Sequence, residues 1–211
     1  MRIGVIGAGQ LGQMLGHAAA DLGFECLFLD PSDKPPAASA GHVIRAAFDD
    51  NDALHSLAKQ CDVITYEFEN VEVAALHALG EIVPVLPPVE ALRLAQDRLD
   101  EKRLFESVDI PLPSYRPVDS LDDLRIAASE LGLPIVVKTR RFGYDGKGQF
   151  VVRTDDDIDE AWRKLQRKAL IAEVLVPFDF EVSIFGARDG DGKVVTWPLT
   201  CNVHTNGVLR T

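Results

Sequence analysis

The first 30 residues constrain the fold most strongly, because they place a glycine-rich turn between two short apolar segments. Residues 2–7 (RIGVIG) and residues 24–30 (FECLFLD) are both apolar and have the length of buried strands. Between them, residues 11–23 (LGQMLGHAAADLG) have the spacing of an amphipathic helix that ends at Gly23. Strand, turn, helix and strand together form a βαβ unit, which predicts a parallel sheet.

The rest of the chain reads as further α/β structure in two parts. In the first part, the patterns predict strands over 42–48, 62–69 and 82–87 and helices over 49–60 and 71–80. A strongly charged helix over 87–109 and a proline-rich connector over 110–117 follow. In the second part, we expect helices over 120–132 and 155–168, strands over 133–139 and 150–154, and antiparallel strands from residue 170 onward. The first part is therefore a Rossmann-like, doubly wound domain.

The composition excludes several classes of protein. With 46% hydrophobic residues in 211, the chain has enough apolar surface for a core, so we exclude wholesale disorder. A net charge of −11 argues against general binding to nucleic acid or to an anionic membrane. No apolar stretch approaches the roughly 18 residues of a membrane span. Three cysteines without CxxC spacing argue against a disulfide framework or a thiolate zinc site, so we expect a soluble protein of the reducing cytoplasm.

Residues 7–12 (GAGQLG) match the GxGxxG pattern of dinucleotide-binding turns, and Asp30 follows at the spacing of a ribose-binding acid. Taken alone, the motif predicts NAD binding. The same backbone favours any phosphate-bearing ligand, because Gly9 permits close approach and a helix amino terminus attracts anions. A third interpretation is that the glycines only permit tight packing. We expect Asp30 to cap a helix or a turn rather than to bind ribose.

A second glycine-rich loop, Gly143–Gln149, follows Lys138 at the end of an apolar strand. Three glycines allow the loop backbone to lie against phosphates, and a lysine at a strand end holds a cation over the sheet. The loop lacks the Gly-Lys-Ser/Thr sequence of a Walker A motif. The alternative interpretation is a flexible hairpin with an incidental lysine.

The two glycine motifs, in this order and spacing, resemble the ATP-grasp superfamily. The segments that narrow the resemblance are GQLGQML, TYEFENV, DRLDEKRLF, VVKTRRFGYDGKGQ and NVHTNGVLRT. Together they are similar to the 5-(carboxyamino)imidazole ribonucleotide synthases of purine biosynthesis, along essentially the whole chain. The resemblance implies that residues 1–95 form a pre-ATP-grasp domain and that residues 96–211 form the amino-terminal part of an α+β ATP-grasp domain.

The resemblance also implies a reaction. ATP phosphorylates bicarbonate to carboxyphosphate, which carboxylates the amine of 5-aminoimidazole ribonucleotide (AIR) in a homodimeric, Mg²⁺-dependent ligase. It implies these ATP contacts: Arg98, Lys138, Gly143, Tyr144, Asp145, Gly146, Lys147, Gly148, Gln149, the adenine hinge Glu173, Val174, Leu175 and Val176, the ribose ligand Glu181, and His204. It implies that AIR meets Gln10, Leu11, Glu67, Tyr144 and Asp145, and that Lys138, Tyr144 and Asp145 are catalytic. From the residues alone, Arg98 fits a solvated helix charge better than an ATP ligand. Tyr144 also fits a loop anchor, and Glu181 and His204 also fit ordinary strand residues.

Family members continue beyond the strand that here ends near Thr211, and that continuation carries their metal ligands. The resemblance therefore implies no metal ligand within this sequence, and we expect the 211-residue chain alone to have little synthase activity. Two other readings stay open at this point. One is an NAD-dependent oxidoreductase built on the first βαβ unit, and the other is a non-catalytic nucleotide-binding fragment. A formate-dependent transformylase of the same superfamily fits the loop segments less well.

Overall fold

The chain divides into two units, Met1–Glu101 and Lys102–Thr211, in a computed structural model that describes residues 1–143, 147–165, 168–205 and 208–210. Each unit has a sheet and a hydrophobic core of its own. None of the helices in the described ranges has the length and apolar character that a bilayer crossing requires.

The first unit is built on the parallel sheet that the glycine-containing βαβ unit predicts. Its strands are β1 (Arg2–Ile6), β2 (Glu25–Asp30), β3 (His42–Arg45) and β4 (Val63–Tyr66). They lie in the order β3-β2-β1-β4, and every pair is parallel. Strand β1 therefore lies between β2 and β4, so the turn that follows β1 has the carboxyl ends of both neighbours beside it.

Four helices and one short 3-10 helix accompany this sheet. They are α1 (Gln10–Asp21), the 3-10 helix Pro36–Ser39, α2 (Asn51–Gln60), α3 (Val73–Gly80) and α4 (Val89–Ala95). Helix α2 begins where the Asp50 carboxylate accepts a hydrogen bond from the Ala53 N–H at 3.0 Å, which is an N-cap. Its apolar face, with Leu54 and Leu57, packs in the core with Ile64 of β4.

The strand predicted over residues 82–87 does not form. Val85 makes a single parallel bridge to Ile64, flanked by hydrogen bonds from the Ile64 N–H to the Pro84 carbonyl and from the Leu86 N–H to the Ile64 carbonyl. The physical reason is the prolines of this segment, which lack the N–H groups that a longer ladder needs. The apolar residues of the segment are nevertheless buried, as Val83 and Val85 join the core.

The single helix predicted over residues 87–109 is two helices, α4 and α5 (Arg98–Ser107). Asp97 lies at the break, where its carboxylate accepts a hydrogen bond from the Leu99 N–H at 2.9 Å. The preceding Gln96 is buried, and its amide donates to the carbonyls of Glu69 at 2.6 Å and Val71 at 2.7 Å. Local side-chain hydrogen bonds of this kind compete with helix continuation.

The second unit contains an antiparallel sheet with one helix-covered face. Its strands are β5 (Tyr115–Val118), β6 (Ile135–Thr139), β7 (Gln149–Val152) and β8 (Leu170–Val174), in the order β5-β8-β6-β7. The helices are α6 (Leu121–Leu131), whose N-cap is Ser120, and α7 (Asp157–Lys164). Alternate residues such as Val137 and Ala172 form one core with Leu124 and Ala161 of these helices. The other set of alternate residues lies on the opposite face.

Part of the proline-rich connector predicted over residues 110–117 is strand β5. It pairs with β8 along one side, and Pro117 lies opposite Ile171 in that register. Proline is tolerated in this position because β5 is at the edge of the sheet, where half of the N–H groups need no partner strand. The prolines that suggest a linker in the sequence therefore belong in part to an edge strand of the sheet.

The predicted antiparallel strands beyond residue 170 are confirmed, as β8 is antiparallel to β5 and β6. The later ones are short and form isolated pairs. They are β9 (Glu181–Ser183), β10 (Gly186–Arg188), β11 (Val194–Thr196), β12 (Thr200–Asn202), β13 (His204–Thr205) and β14 (Val208–Leu209). The pairs are β9 with β12, β10 with β11 and β13 with β14.

Candidate functional site

The face of the second sheet that α6 and α7 leave uncovered carries a buried ion cluster. Lys138 is on β6 and Glu173 is on β8, and the Lys138 Nζ lies 3.2 Å from the Glu173 Oε2. The same oxygen lies 3.3 Å from the Nζ of Lys102, which helix α5 supplies. The Glu173 side chain is 7% exposed, the Lys102 side chain 11% and the Lys138 side chain 25%. One carboxylate with two ammonium groups gives the cluster an excess positive charge, and Lys138 is its most exposed member.

Lys102 is held in place by an aromatic ring as well as by the carboxylate. Its Nζ lies 5.3 Å from the centroid of the Tyr115 ring, within the range of a cation–π contact. Burial and the hydrogen bond that the Tyr115 hydroxyl donates to Glu106 at 2.8 Å raise the pKa of Tyr115, so the phenol stays neutral near pH 7. Sequence reasoning missed Lys102. The available signal was its position four residues after Arg98, which is the spacing of one helical face.

The glycine loop after Lys138 is partly described. Lys138 pairs in register with Gln149, and the Thr139 N–H donates to the Gly148 carbonyl at 2.8 Å. Gly148 has a φ of +76°, and a Cβ there would lie 2.6 Å from the Thr139 Oγ1. Both the backbone conformation and the lack of space therefore favour glycine at this position. Gly143 and Lys147 flank the gap. The predicted residues Tyr144, Asp145 and Gly146 lie outside the described residues.

The predicted adenine hinge begins with the last two residues of β8, Glu173 and Val174, and continues through Leu175 and Val176. The Val174 N–H donates to the Ser114 carbonyl at 3.0 Å, and the Leu175 N–H donates to the Pro134 carbonyl at 3.3 Å. Val176 is exposed and its carbonyl accepts from the Phe178 N–H. The structure adds one fact to the prediction for Glu173, which is that its side chain binds the two lysines. The Glu173 backbone is paired with Tyr115 of β5 on one side and with Val136 of β6 on the other.

Glu181 and His204 lie close together in the structure. The His204 Nε2 lies 3.6 Å from the Glu181 Oε1, and both side chains are more than a third exposed. Asn202 lies opposite Glu181 in the β9–β12 register and donates to the same oxygen at 2.8 Å. Asn202 was not predicted, since a lone amide in a strand carries no sequence signal.

In the first unit, two acids occupy the backbone donors of the first glycine turn. The turn follows β1, so the ends of β2 and β4 lie on either side of it. Asp30, at the end of β2, accepts from the Ala8 N–H at 3.0 Å and from the Ser32 N–H at 2.8 Å. Asp30 is therefore a turn-capping residue, as predicted, and both of its oxygens are used in that task.

Glu67, directly after β4, accepts a hydrogen bond from the Gly9 N–H at 2.7 Å. The glycines of the motif make room for this side chain. A Cβ at Gly12 would lie 2.6 Å from the Glu67 Oε2, one at Gly7 would lie 3.0 Å from the Glu67 Cβ, and one at Gly9 would meet the Glu67 Oε1. The motif thus packs against a carboxylate, and the side-chain space that glycine saves is already filled.

The remaining predicted residues of the first unit lie at helix starts. Gln10 and Leu11 open α1 and are exposed, and the helix has no side-chain N-cap hydrogen bond. Its first-turn N–H groups therefore face a position that suits an anion. Arg98 opens α5 and is half-buried. Within the described residues, no group of three or more His, Cys, Asp or Glu side chains is arranged to hold a metal ion.

The ATP-grasp domain family matches residues 103–211, which is more than half of the chain, and the ribonucleotide synthetase preATP-grasp domain family matches residues 1–96. The chain belongs to the ATP-grasp family. This confirms the resemblance seen in the glycine motifs and the expected fold class, a parallel pre-ATP-grasp sheet followed by an α+β ATP-grasp unit.

Individual relatives indicate which members of the ATP-grasp family this chain is similar to. The N5-carboxyaminoimidazole ribonucleotide synthase of Pseudomonas aeruginosa is 45% identical over 210 residues, which cover 100% of this chain and 58% of the relative. The Staphylococcus aureus synthetase solved with ADP has a TM-score of 0.95 at 37% identity, over 99% of this chain and 56% of that one. The Aspergillus clavatus synthase solved with ADP and AIR has a TM-score of 0.88 at 30% identity, over 99% and 55%. The chain spans between half and three fifths of the length of these relatives.

Proposed function

We propose that this ATP-grasp chain carries the nucleotide site and the AIR site of an ATP-dependent carbon–nitrogen ligase of purine biosynthesis. The reaction is the carboxylation of the amine of AIR to 5-(carboxyamino)imidazole ribonucleotide, with bicarbonate as the carbon source. The observation that carries the proposal is the buried Lys138–Glu173 pair, which lies on the face of the second sheet opposite α6 and α7.

The second unit fits a nucleoside triphosphate. The cluster of Lys102, Glu173 and Lys138 has an excess positive charge, and the Lys138 ammonium is its most exposed group. A cation fixed at a strand end offsets the charge of a phosphate in surroundings from which water is partly excluded. ATP supplies the phosphoryl group that activates bicarbonate. The chain's own contribution is to bind the phosphates with Lys138, Arg98 and the loop Gly143–Gln149, and to orient the base and ribose.

We assign the contacts with the adenine base and the ribose of ATP to the end of β8 and to the strands after it. The adenine edge is assigned to the backbone of the predicted hinge, Glu173, Val174, Leu175 and Val176. The Val174 and Leu175 N–H groups already donate to the carbonyls of Ser114 and Pro134, so base contacts fall to other backbone groups of this segment. Glu181 presents an exposed carboxylate to ribose hydroxyls, with His204 beside it. The carboxylate stays paired with Asn202, which fixes its orientation.

The first unit fits a sugar phosphate. The first-turn N–H groups at Gln10 and Leu11 are suited to the AIR phosphate, because α1 lacks a side-chain cap. Glu67 lies beside that helix start, where its carboxylate can accept hydrogen bonds from the sugar or the amine of AIR. Because Asp30 and Glu67 already bind the Ala8 and Gly9 N–H groups, this turn has fewer donors for a dinucleotide pyrophosphate.

Several finer assignments belong to the same proposal. Tyr144 and Asp145 act at the carboxylation site, Mg²⁺ accompanies the nucleotide, and the assembled ligase is a homodimer of the cytoplasm. The domains are residues 1–95 and 96–211. These assignments rest on the resemblance to the synthases.

Calorimetric titration of the purified chain tests the proposal with three ligands, Mg-ADP, AIR and NAD. We expect saturable binding of Mg-ADP and of AIR, and no binding of NAD at comparable concentrations. Binding of NAD alone would overturn the proposal in favour of an oxidoreductase. A second assay measures ADP release from Mg-ATP in bicarbonate buffer, and release that depends on AIR would extend the proposal from binding to the whole reaction.

A further inference from the structure

Lys102 is a buried cation for which the proposed function gives no task. It lies on α5, and its side chain is 11% exposed, less than the 25% of Lys138. A lysine is seldom buried to this degree without a paired partner. Here the partner is Glu173, whose Oε2 lies 3.3 Å from the Lys102 Nζ, and the Tyr115 ring lies 5.3 Å away on β5.

We infer that Lys102 is a positioning residue that keeps Glu173 paired when the Lys138 ammonium turns to the nucleotide phosphates. The inference rests on the proposed function, because it assigns Lys138 a nucleotide to bind. Lys102 is not placed in contact with the nucleotide; it acts through Glu173.

The two lysine ammonium groups share one carboxylate oxygen of Glu173. Both lysines lie within 3.3 Å of the Glu173 Oε2, and the carboxylate is 7% exposed. A carboxylate at that depth strongly favours having a cation beside it, because water cannot replace a lost partner. If Lys138 alone paired with Glu173, each phosphate contact of Lys138 would compete with that pairing. With Lys102 present, Glu173 keeps a partner while Lys138 moves.

The geometry also assigns which of the two lysines moves. Lys102 is fixed between Glu173 and the face of Tyr115, whose hydroxyl donates to Glu106 at 2.8 Å. Lys138 is the more exposed lysine and precedes the glycine loop. The Lys102 ammonium is thus suited to stay beside Glu173, and the Lys138 ammonium is suited to turn toward the phosphates.

The first arm of the test measures the dissociation constant of Mg-ADP by calorimetry. We compare Lys102→Met, Glu173→Gln and the double variant with the unmodified chain. Lys102→Met should weaken binding at least about tenfold, or about 1.4 kcal/mol, because Lys138 is then held by Glu173. The double variant should bind within about threefold of Glu173→Gln, or about 0.7 kcal/mol, because a neutral amide no longer requires a cation. Lys59→Met removes one exposed lysine of α2 and is the charge-matched control.

The second arm needs no nucleotide. Trace acetylation followed by mass spectrometry gives the reactivity of the Lys138 amine relative to that of the exposed Lys193. Lys102→Met should lower the Lys138 reactivity several-fold, because its ammonium then serves as the partner of Glu173. The double variant should restore it. A role of Lys102 in folding alone would not produce this reciprocal pattern.

The outcomes separate the inference from the proposed function. If the unmodified chain fails to bind Mg-ADP, the proposed function fails, and the acetylation pattern alone decides whether Lys102 controls Lys138. If Lys102→Met binds Mg-ADP normally, or if the double variant binds no better than Lys102→Met, the inference is wrong. Circular dichroism is recorded first. If Lys102→Met does not fold, Lys102→Arg replaces it in the test, because arginine keeps a cation. Lys102→Arg should bind Mg-ADP within about threefold of the unmodified chain, or about 0.7 kcal/mol. A larger loss of affinity overturns the inference.

Discussion

Replacing Gly9 with alanine should destabilise the first unit through one side chain, Glu67. The backbone at Gly9 has a φ of −76°, which alanine adopts without strain. The three atoms nearest to an added Cβ all belong to the Glu67 carboxyl group. A methyl group at this position therefore displaces the carboxylate and breaks its 2.7 Å hydrogen bond with the Gly9 N–H.

The expected magnitude follows from that hydrogen bond. A hydrogen bond to a charged group contributes about 1.5–3 kcal/mol, so Gly9→Ala and Glu67→Ala should each cost about 2 kcal/mol. In the double variant the methyl group meets no carboxylate. The combined loss should then be about 2–3 kcal/mol rather than about 4, a coupling of about 1–2 kcal/mol. The matched control is Gly7→Ala, whose φ of +102° strains any side chain whether or not Glu67 is present.

Hydrogen–deuterium exchange with mass spectrometry is the appropriate assay, because both tryptophans, Trp162 and Trp197, lie in the second unit. Exchange of peptides that cover residues 1–30 gives the opening free energy for each variant. Gly9→Ala and Glu67→Ala should be strongly coupled. Gly7→Ala and Glu67→Ala should be much closer to additive, since Glu67→Ala removes only the Oε2 contact at 3.1 Å and leaves the backbone strain, the Cβ of residue 67 and the Phe68 ring. Additive losses for Gly9 and Glu67 would refute the conclusion that this glycine exists to accommodate the acid.

Three further predictions concern single side chains. Burial raises the pKa of Cys61 to about 11, so its alkylation by iodoacetamide should be slow at pH 8 and should accelerate up to about pH 11, while the exposed Cys201 reacts readily at pH 8. Ser120→Ala removes the N-cap of α6 and should lower the free energy of unfolding in urea by about 1 kcal/mol, whereas Ser120→Asp should retain most of it. The Thr139 Oγ1 is buried without a hydrogen-bond partner among the described residues, so Thr139→Val should raise the melting temperature, with a gain of about 1 kcal/mol. A fall in melting temperature would contradict that assignment.

The features that sequence reasoning predicted well are the ones set by local pattern. The βαβ unit depends on residues close together in the chain, where apolar spacing and turn chemistry decide the outcome. The strand character of residues 170 onward is likewise visible in local apolar spacing, although the strands that pair with β8 are distant in sequence. Asp30 belongs to the same class, because a carboxylate at a strand end before proline favours a turn. The family resemblance then supplied the larger architecture.

The features that sequence reasoning missed depend on tertiary packing. Residues 82–87 have strand-like composition, yet proline limits them to one bridge. Pro117 suggests a linker in the sequence but lies in an edge strand. Glu67 lies 58 residues from Gly9, so nothing in the motif itself shows that an acid fills the turn. Lys102 resembles any solvated helix charge until β8 brings Glu173 beneath it. Each miss required knowledge of which distant strand lies next to which.

The edge position of β5 has a consequence for the behaviour of concentrated solutions. An open strand edge recruits further strands from other molecules, which is a common start of aggregation. Pro117 removes one donor from this edge, and the neighbouring Arg116 places an exposed charge there, tied to Glu130 at 2.7 Å. Both features oppose the addition of another chain. The same proline that obscured this strand in the sequence therefore helps to keep the folded molecules apart.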